Sequence, residues 1–201
     1  MSKGLLLVIS GPSGVGKGTM CAAYCKNAKD TMLSISVTER KPREGEVHGQ
    51  HYYFLSKEEF DALIANDGLM EWAQYGENRY GTPKEPVLRA LDEGKNVILE
   101  IEVIGAMKVR SHYPQGVFIF ITPPSMQCLR DRLEGRHTET KEQIIVRFTK
   151  AMVEFGQMEK YNYIIKNDTT ENAVTALHEV VNAEKMRVER CLKDVKNQLM
   201  I

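Results

Sequence analysis

The sequence predicts an α/β fold in which a five-stranded parallel sheet lies between layers of helices. Three observations carry that reading. Five short apolar runs alternate with helical segments over most of the chain. The first run opens directly into a glycine-rich turn and a helix, as in a right-handed crossover. A length of 201 residues suits one substantial core with a small appended subdomain and gives no reason to expect two independent domains.

The first run, Leu5 to Ser10, is continuous and branched, as in a strand buried on both faces. It leads into Gly11-Pro12-Ser13-Gly14-Val15-Gly16-Lys17-Gly18-Thr19, and Thr19 to Lys26 reads as helix. Further strands are expected at Leu33 to Val37, Val97 to Ile101, Val117 to Ile121 and Tyr163 to Lys166. Ser125, after two prolines, opens a helix toward Glu134, Thr140 begins another through about Glu159, and Thr170 begins a long charged C-terminal helix. Residues 39–82 break the alternation. Charged turns, the alternating His51-Tyr52-Tyr53-Phe54-Leu55 and a short helix read there as an inserted subdomain. Ser56-Lys57-Glu58-Glu59 forms a capping box for that helix, and Thr82-Pro83-Lys84-Glu85 reads as a second one returning the chain to a core made of residues 1–38 and 83–201.

The glycine-rich turn carries the most specific chemistry. Gly11, Gly14 and Gly16 permit dihedrals that aim successive N–H groups inward, and the following helix adds the positive end of its dipole, so the loop suits a polyphosphate. Against the pattern G-x-x-x-x-G-K-[ST], Gly11, Gly16 and Lys17 match, while Gly18 takes the hydroxyl position and Thr19 follows one place later. Lys17 supplies a mobile charge for the β- and γ-phosphates. A dinucleotide fingerprint does not fit, and a lysine inside the loop favours a mononucleotide.

Composition excludes several classes. Lysine plus arginine balance aspartate plus glutamate at 27 each, which gives no global field for nucleic acid or acidic membranes. No apolar run has bilayer-spanning length and the N-terminus lacks a signal-peptide pattern, so the cytoplasm is expected. The four cysteines, Cys21, Cys25, Cys128 and Cys191, are scattered and read as reduced thiols. Cys21 and Cys25 share a helical face, but with no second ligand pair helix packing is the better reading than zinc.

Other polar groups converge by position. Arg40 and Arg43, stiffened by Pro42, leave a strand end together and can hold one phosphate dianion, although composition alone slightly favours a solvated basic loop. Trp72 and Tyr75 read as packing more than ligand stacking. Glu100 and Glu102 alternate with apolar residues at the carboxyl end of a central strand, on one face near the loop, where a carboxylate can hold metal-bound water or substrate hydroxyls. Arg130, Arg132 and Arg136 on one helix and Arg147 on the next form a hairpin able to close over phosphate.

Together these segments resemble the guanylate kinases from about Gly4 to about Arg187. The resemblance rests on Ser34-Ile35-Ser36 with Arg40-Lys41-Pro42-Arg43-Glu44-Gly45-Glu46, Gly49 to Phe54, Glu71-Trp72-Ala73, Tyr80-Gly81-Thr82, Gly105-Ala106, Pro123-Pro124-Ser125 and Asn167-Asp168. It implies a P-loop kinase core, a GMP-binding subdomain at 39–82 and a helical lid at about 126–158. By position it implies that Ser36, Arg40, Arg43, Tyr52 and Tyr80 hold the GMP phosphate, that Glu71 and Thr82 read guanine, and that Glu100 sits at the substrate edge. Gly11 to Thr19 with Arg136, Arg147, Asn167 and Asp168 would hold ATP, and Lys17, Arg40, Arg136 and Arg147 would serve the transfer. The implied reaction is in-line transfer from ATP to GMP, and to dGMP, without a covalent intermediate. Mg2+ would accompany ATP, held through phosphates and water with Thr19 or Glu100 as candidate ligands. Glu39, Arg79, Ile104 and His137 depart from common family residues, and Glu100 and Glu102 replace aspartates. A protein-binding module of the same fold is the rival class, and the retained lysine and arginines speak against it. A kinase for another monophosphate is the nearer alternative, against which Glu71 and Thr82 speak.

Overall fold

A computed structural model describes residues 3–135 and 141–200. In chain order the elements are β1 (Leu6–Ser10), α1 (Lys17–Asn27), β2 (Thr31–Leu33), β3 (Val37–Thr38), β4 (Tyr53–Phe54), α2 (Lys57–Ala65), β5 (Leu69–Tyr75), β6 (Asn78–Pro83) and α3 (Lys84–Asp92). They continue with β7 (Asn96–Glu100), α4 (Val103–His112), β8 (Val117–Thr122), α5 (Met126–Glu134), α6 (Lys141–Phe155), β9 (Tyr163–Lys166), α7 (Thr170–Lys185) and α8 (Val188–Leu199).

The core is a five-stranded parallel sheet in the order β2-β7-β1-β8-β9. Alternation along β1 decides the layers. Leu7 and Ile9 join Met20, Ile119, Leu129 and Leu177 on one face, while Leu6 and Val8 join Val87, Leu99, Val109 and Phe118 on the other. Both faces are covered, so the strands read as unbroken apolar runs.

Three sequence expectations are corrected. The second strand is Thr31–Leu33, not Leu33 to Val37. After Leu33 the Ser34 N–H still donates to the Ile98 carbonyl at 2.9 Å, but the chain then leaves the core, and Val37–Thr38 pairs with β4 and β6 in a second sheet of order β4-β3-β6-β5. Period-two alternation cannot distinguish one strand from a strand that changes sheets. Thr82 does not cap α3, whose N-cap is Pro83 without a side-chain bond; its hydroxyl turns inward instead. The C-terminal helix is two helices, broken at Met186 and Arg187, because the break lets Arg190 return to the buried Glu184 at 3.1 Å. The Ser56–Glu59 capping box is reciprocal as expected, with Glu59 N–H on Ser56 Oγ at 3.1 Å and Ser56 N–H on Glu59 Oε2 at 2.7 Å.

Candidate active site

A cleft of about 550 Å³ opens where the carboxyl ends of the core strands face the second sheet. On its core side lies the glycine-rich loop. Gly11, Gly14 and Gly16 have φ of 150°, 89° and 87°, all costly for residues with a Cβ. A Cβ at Gly11 would come within 2.4 Å of the Ile121 carbonyl oxygen, and one at Gly16 within 2.6 Å of Asn167 Nδ2. That amide explains the loop's fixity, since buried Asn167 donates to the Val15 carbonyl at 2.7 Å from the end of β9. Arg132 of α5 braces the same place, donating to the carbonyls of Val15 at 3.3 Å and Asn167 at 3.0 Å. Lys17 Nζ lies along the loop, 2.6 Å from the Gly11 carbonyl and 3.2 Å from that of Pro12.

The second sheet supplies the opposite wall. Register places Glu71 directly across from Thr82 on β5 and β6, next to a shift in the ladder between Leu69 and Glu71. Such an irregularity re-aims side chains, and consecutive Met70 and Glu71 are both buried. Thr82 Oγ1 donates to Glu71 Oε1 at 2.9 Å. Burial raises the Glu71 carboxyl to about 7, against the smaller opposing pulls of the Thr82 bond and Lys108. A Cβ at Gly105 of α4 would stand 2.6 Å from Glu71 Oε2, so the glycine makes room for the carboxylate.

Arg40 is held from three sides. Glu46 accepts from Nη1 at 2.6 Å and Nη2 at 2.7 Å, Nε donates to the Tyr80 hydroxyl at 3.1 Å, and the guanidinium stands 5.0 Å from the Tyr52 ring centre. The paired hydrogen bonds hold Glu46 down at about 2 and keep Arg40 charged. Glu46 also accepts from the Arg43 N–H at 2.7 Å, tying the two arginines of the turn to one carboxylate.

On the third side are the acids and α6. Glu100 ends β7 and faces Gly18, where an added Cβ would meet both carboxylate oxygens at 3.4 Å, an ordinary contact distance. Burial raises the Glu100 carboxyl, Lys17 opposes the rise and Glu102 adds to it. Thr19 is exposed at the cleft. Arg147 reaches the loop, with Nη1 3.3 Å from Ser13 Oγ. One turn further, Lys150 Nζ lies 3.1 Å from Glu102 Oε2, 3.5 Å from Glu154 Oε1 and 3.7 Å from the Tyr75 ring centre. Burial, then the neighbouring Glu102 charge, carries Glu154 to about 7.

Ser13, Gly14, Gly16, Lys17, Gly18, Thr19, Ser36, Arg40, Arg43, Tyr52, Glu71, Tyr80, Glu100 and Arg147 therefore border one cleft. Thr82 stands behind Glu71. Asn167 supports the loop from beneath, and exposed Asp168 accepts from the Thr169 N–H at 2.7 Å and Asn172 Nδ2 at 3.2 Å at the start of α7. Arg136 and His137 lie outside the described residues. Sequence reasoning did not single out Glu46, Lys150 or Glu154, and it gave Arg132 no role separate from its neighbours; only their contacts distinguish them from solvated charges. Glu39 and Arg79, two departures from the family pattern, answer each other. Arg79 Nε donates to Glu39 Oε1 at 2.8 Å, a second bond joins Arg79 Nη2 to Glu39 Oε2, and Nη1 reaches Asp61 at 2.6 Å. Trp72 packs against the core of the second sheet, as expected, whereas Tyr75 borders the cleft. The four cysteines are free thiols. Among the described residues there is no helix long and apolar enough to cross a membrane, and no cluster of three or more His, Cys, Asp or Glu able to hold a metal.

Comparison with known proteins gives a consistent result. The family model described as Guanylate kinase matches residues 3–184. A guanylate kinase of Caldanaerobacter subterraneus subsp. tengcongensis is 52% identical over 188 residues, covering 94% of this chain and 91% of that protein. One of Clostridium acetobutylicum is 53% identical over 192 residues, covering 96% and 91%. The crystal structure of guanylate kinase from Anaplasma phagocytophilum superposes with a TM-score of 0.78 at 32% identity, covering 97% of this chain and 94% of that one.

Proposed function

The chain belongs to the guanylate kinase family, and from that premise we propose how its residues divide the work of phosphorylating GMP with ATP. The enzyme is an ATP:GMP phosphotransferase and yields ADP and GDP. Residues 39–82 form the GMP-binding subdomain, 1–38 and 83–201 the core, and about 126–158 the lid.

Ser36, Arg40, Arg43, Tyr52 and Tyr80 hold the GMP phosphate. Arg40 suits that task because Glu46 and Tyr80 fix its orientation before the ligand arrives, which spares the entropy of ordering a long side chain. Glu71 and Thr82 read the base. Guanine offers two donors, N1–H and the exocyclic amine, to a carboxylate, and an acceptor, O6, to a hydroxyl. On binding, the two donors take over Glu71, and the Thr82 proton, now directed at Glu71 Oε1, turns to O6. Adenine presents an acceptor to the carboxylate and would leave a buried charge unpaired.

Gly11 to Thr19 cradles the ATP phosphates, with Asn167 and Asp168 supporting the nucleotide side. Lys17 exchanges its two carbonyl partners for phosphate oxygens. Lys17, Arg40, Arg136 and Arg147 then offset the repulsion between two anions brought into line, and no side-chain nucleophile is needed. The donors present fit Mg2+ carried with ATP: the exposed Thr19 hydroxyl and the half-buried Glu100 carboxylate border the cleft beside Lys17. Thr19 or Glu100, directly or through water, would hold the ion, which supplies charge neutralisation at the phosphates. The reaction takes place in the cytoplasm, dGMP is accepted, and no nucleic acid is involved.

One observation carries this reading: the Glu71 carboxyl, bonded to the buried Thr82 hydroxyl behind it, lines the same cleft as the phosphate loop. A coupled assay with ATP and each of GMP, dGMP, AMP, CMP and UMP tests it. Turnover with GMP and dGMP and a preference over AMP of roughly 10⁴-fold are expected; equal turnover of AMP would remove the base-reading role.

A further inference from the structure

Helix α6 carries Arg147, Lys150 and Glu154 at steps of three and four residues, so the three polar side chains share one face. The neighbouring face packs on the core through Ile144, Phe148, Ala151 and Phe155. Arg147 borders the cleft and reaches Ser13 of the phosphate loop at 3.3 Å. Lys150 has other neighbours. Its ammonium stands 3.1 Å from Glu102 Oε2 at the N-cap of α4, 3.5 Å from Glu154 Oε1 and 3.7 Å from the centre of the Tyr75 ring at the end of β5. One nitrogen thus joins α6, the core and the second sheet, and both Glu102 and Tyr75 border the cleft. Glu71, Ala73 and Tyr75 alternate along the cleft side of β5, so the base-reading carboxyl and the ring beneath Lys150 belong to one strand held in ladder with β6. The joint needs a cation. Without it the Glu102 and Glu154 carboxylates, the latter 9% exposed, would repel each other where α6 meets the core, and the ring face would lose the charge it attracts.

With GMP seated on Glu71 and ATP on the phosphate loop, as proposed above, we infer that Lys150 is a positioning residue through which each substrate raises the affinity for the other. The contacts are continuous: from Glu71 along β5 to Tyr75, across the ring to Lys150, and one turn along α6 to Arg147 at Ser13. GMP on Glu71 immobilises β5 and with it the ring. Lys150 then has its three partners together only while α6 lies against the core, which is where Arg147 meets the loop. A helix swung away loses the ion pairs, the ring and the placement of Arg147 at once, so α6 has two discrete positions and GMP favours the docked one. ATP phosphates on Arg147 favour the same position and steady the ring and the GMP site behind it; linkage makes the effect equal in both directions. The repulsion between two anionic substrates acts against this coupling, so loss of Lys150 leaves that repulsion unopposed.

Calorimetric titration of the full chain with GMP, with and without saturating adenosine β,γ-imidotriphosphate and Mg2+, tests this. The analogue should tighten GMP binding about tenfold in the parent, and Lys150→Met should bring that factor to about two or below while changing the affinity for either ligand alone less than about threefold. Lys150→Arg, which keeps a cation for Glu102 and for the Tyr75 ring, should restore the factor. If Lys150→Met does not fold, Tyr75→Leu takes its place, since it removes the ring and leaves both ion pairs; it should lose the coupling, and Tyr75→Phe should keep it. A merely structural role would weaken both ligands and leave the factor as in the parent. That result, coupling undiminished in Tyr75→Leu, or no rescue by Lys150→Arg overturns the inference. So does a parent whose two ligands bind independently, which leaves the assignment of the two sites standing, whereas a parent that binds neither ligand overturns that assignment as well.

Discussion

Replacing Glu71 with glutamine should stabilise the folded chain at high pH while weakening its hold on GMP. Glu71 is 7% exposed, and burial moves its carboxyl from the ordinary 4.5 to about 7. At about 1.4 kcal/mol for each pH unit, holding the ionised form in the fold costs roughly 3 kcal/mol. The sign follows from proton binding. Below about 4.5 both folded and unfolded chains carry the proton; between about 4.5 and 7 only the folded chain does, so stability falls as pH rises, and above about 7 the full cost applies. Glutamine keeps an acceptor for Thr82 and avoids that cost. Denaturation should find the variant more stable by up to about 3 kcal/mol at pH 8 and equal to its parent near pH 4. The kcat/KM for GMP reports ionisations of the free enzyme. In the parent it should rise through about pH 7 as Glu71 ionises, on top of a rise near 6 from GMP's own phosphate. In the variant only the lower rise should remain, at a level roughly 10- to 100-fold reduced. A variant no more stable than its parent at pH 8, or one that keeps the upper rise, refutes the reasoning.

Lys17→Met should lower kcat by several orders of magnitude with little change in melting temperature, because among the described residues Lys17 donates to the Gly11 and Pro12 carbonyls of its own loop; near-normal turnover by the folded variant would contradict its role. Asn167→Ala removes the buried bond to the Val15 carbonyl and should cost about 1–3 kcal/mol while raising KM for ATP more than for GMP, read by denaturation and separate substrate titrations. Glu46→Gln loosens Arg40 without removing it and should raise KM for GMP about tenfold with KM for ATP unchanged; an equal effect on both substrates would deny it a positioning role.

Local chemistry made the nucleotide-binding half of this protein legible in the sequence. Leu5 to Ile9 is apolar at every position, so only a strand covered on both faces accommodates it, and the glycines after it answer backbone constraints that span a few residues. The Ser56–Glu59 box and the Ser125 cap are likewise complete within four residues, and the structure forms both. The same locality misread Thr82, which looks like a cap by its neighbours but donates to Glu71, eleven positions away in sequence. It also misread Ser34 to Val37, where alternation continues although the hydrogen-bond partners change from the core sheet to the second one. The elevated Glu71 carboxyl, the Glu46 clamp on Arg40, and the joining of α6, the core and the second sheet through Lys150 belong to the tertiary structure alone. Side-chain identity sets which charges exist, but burial and apposition set their energies, and those depend on which distant strands and helices meet.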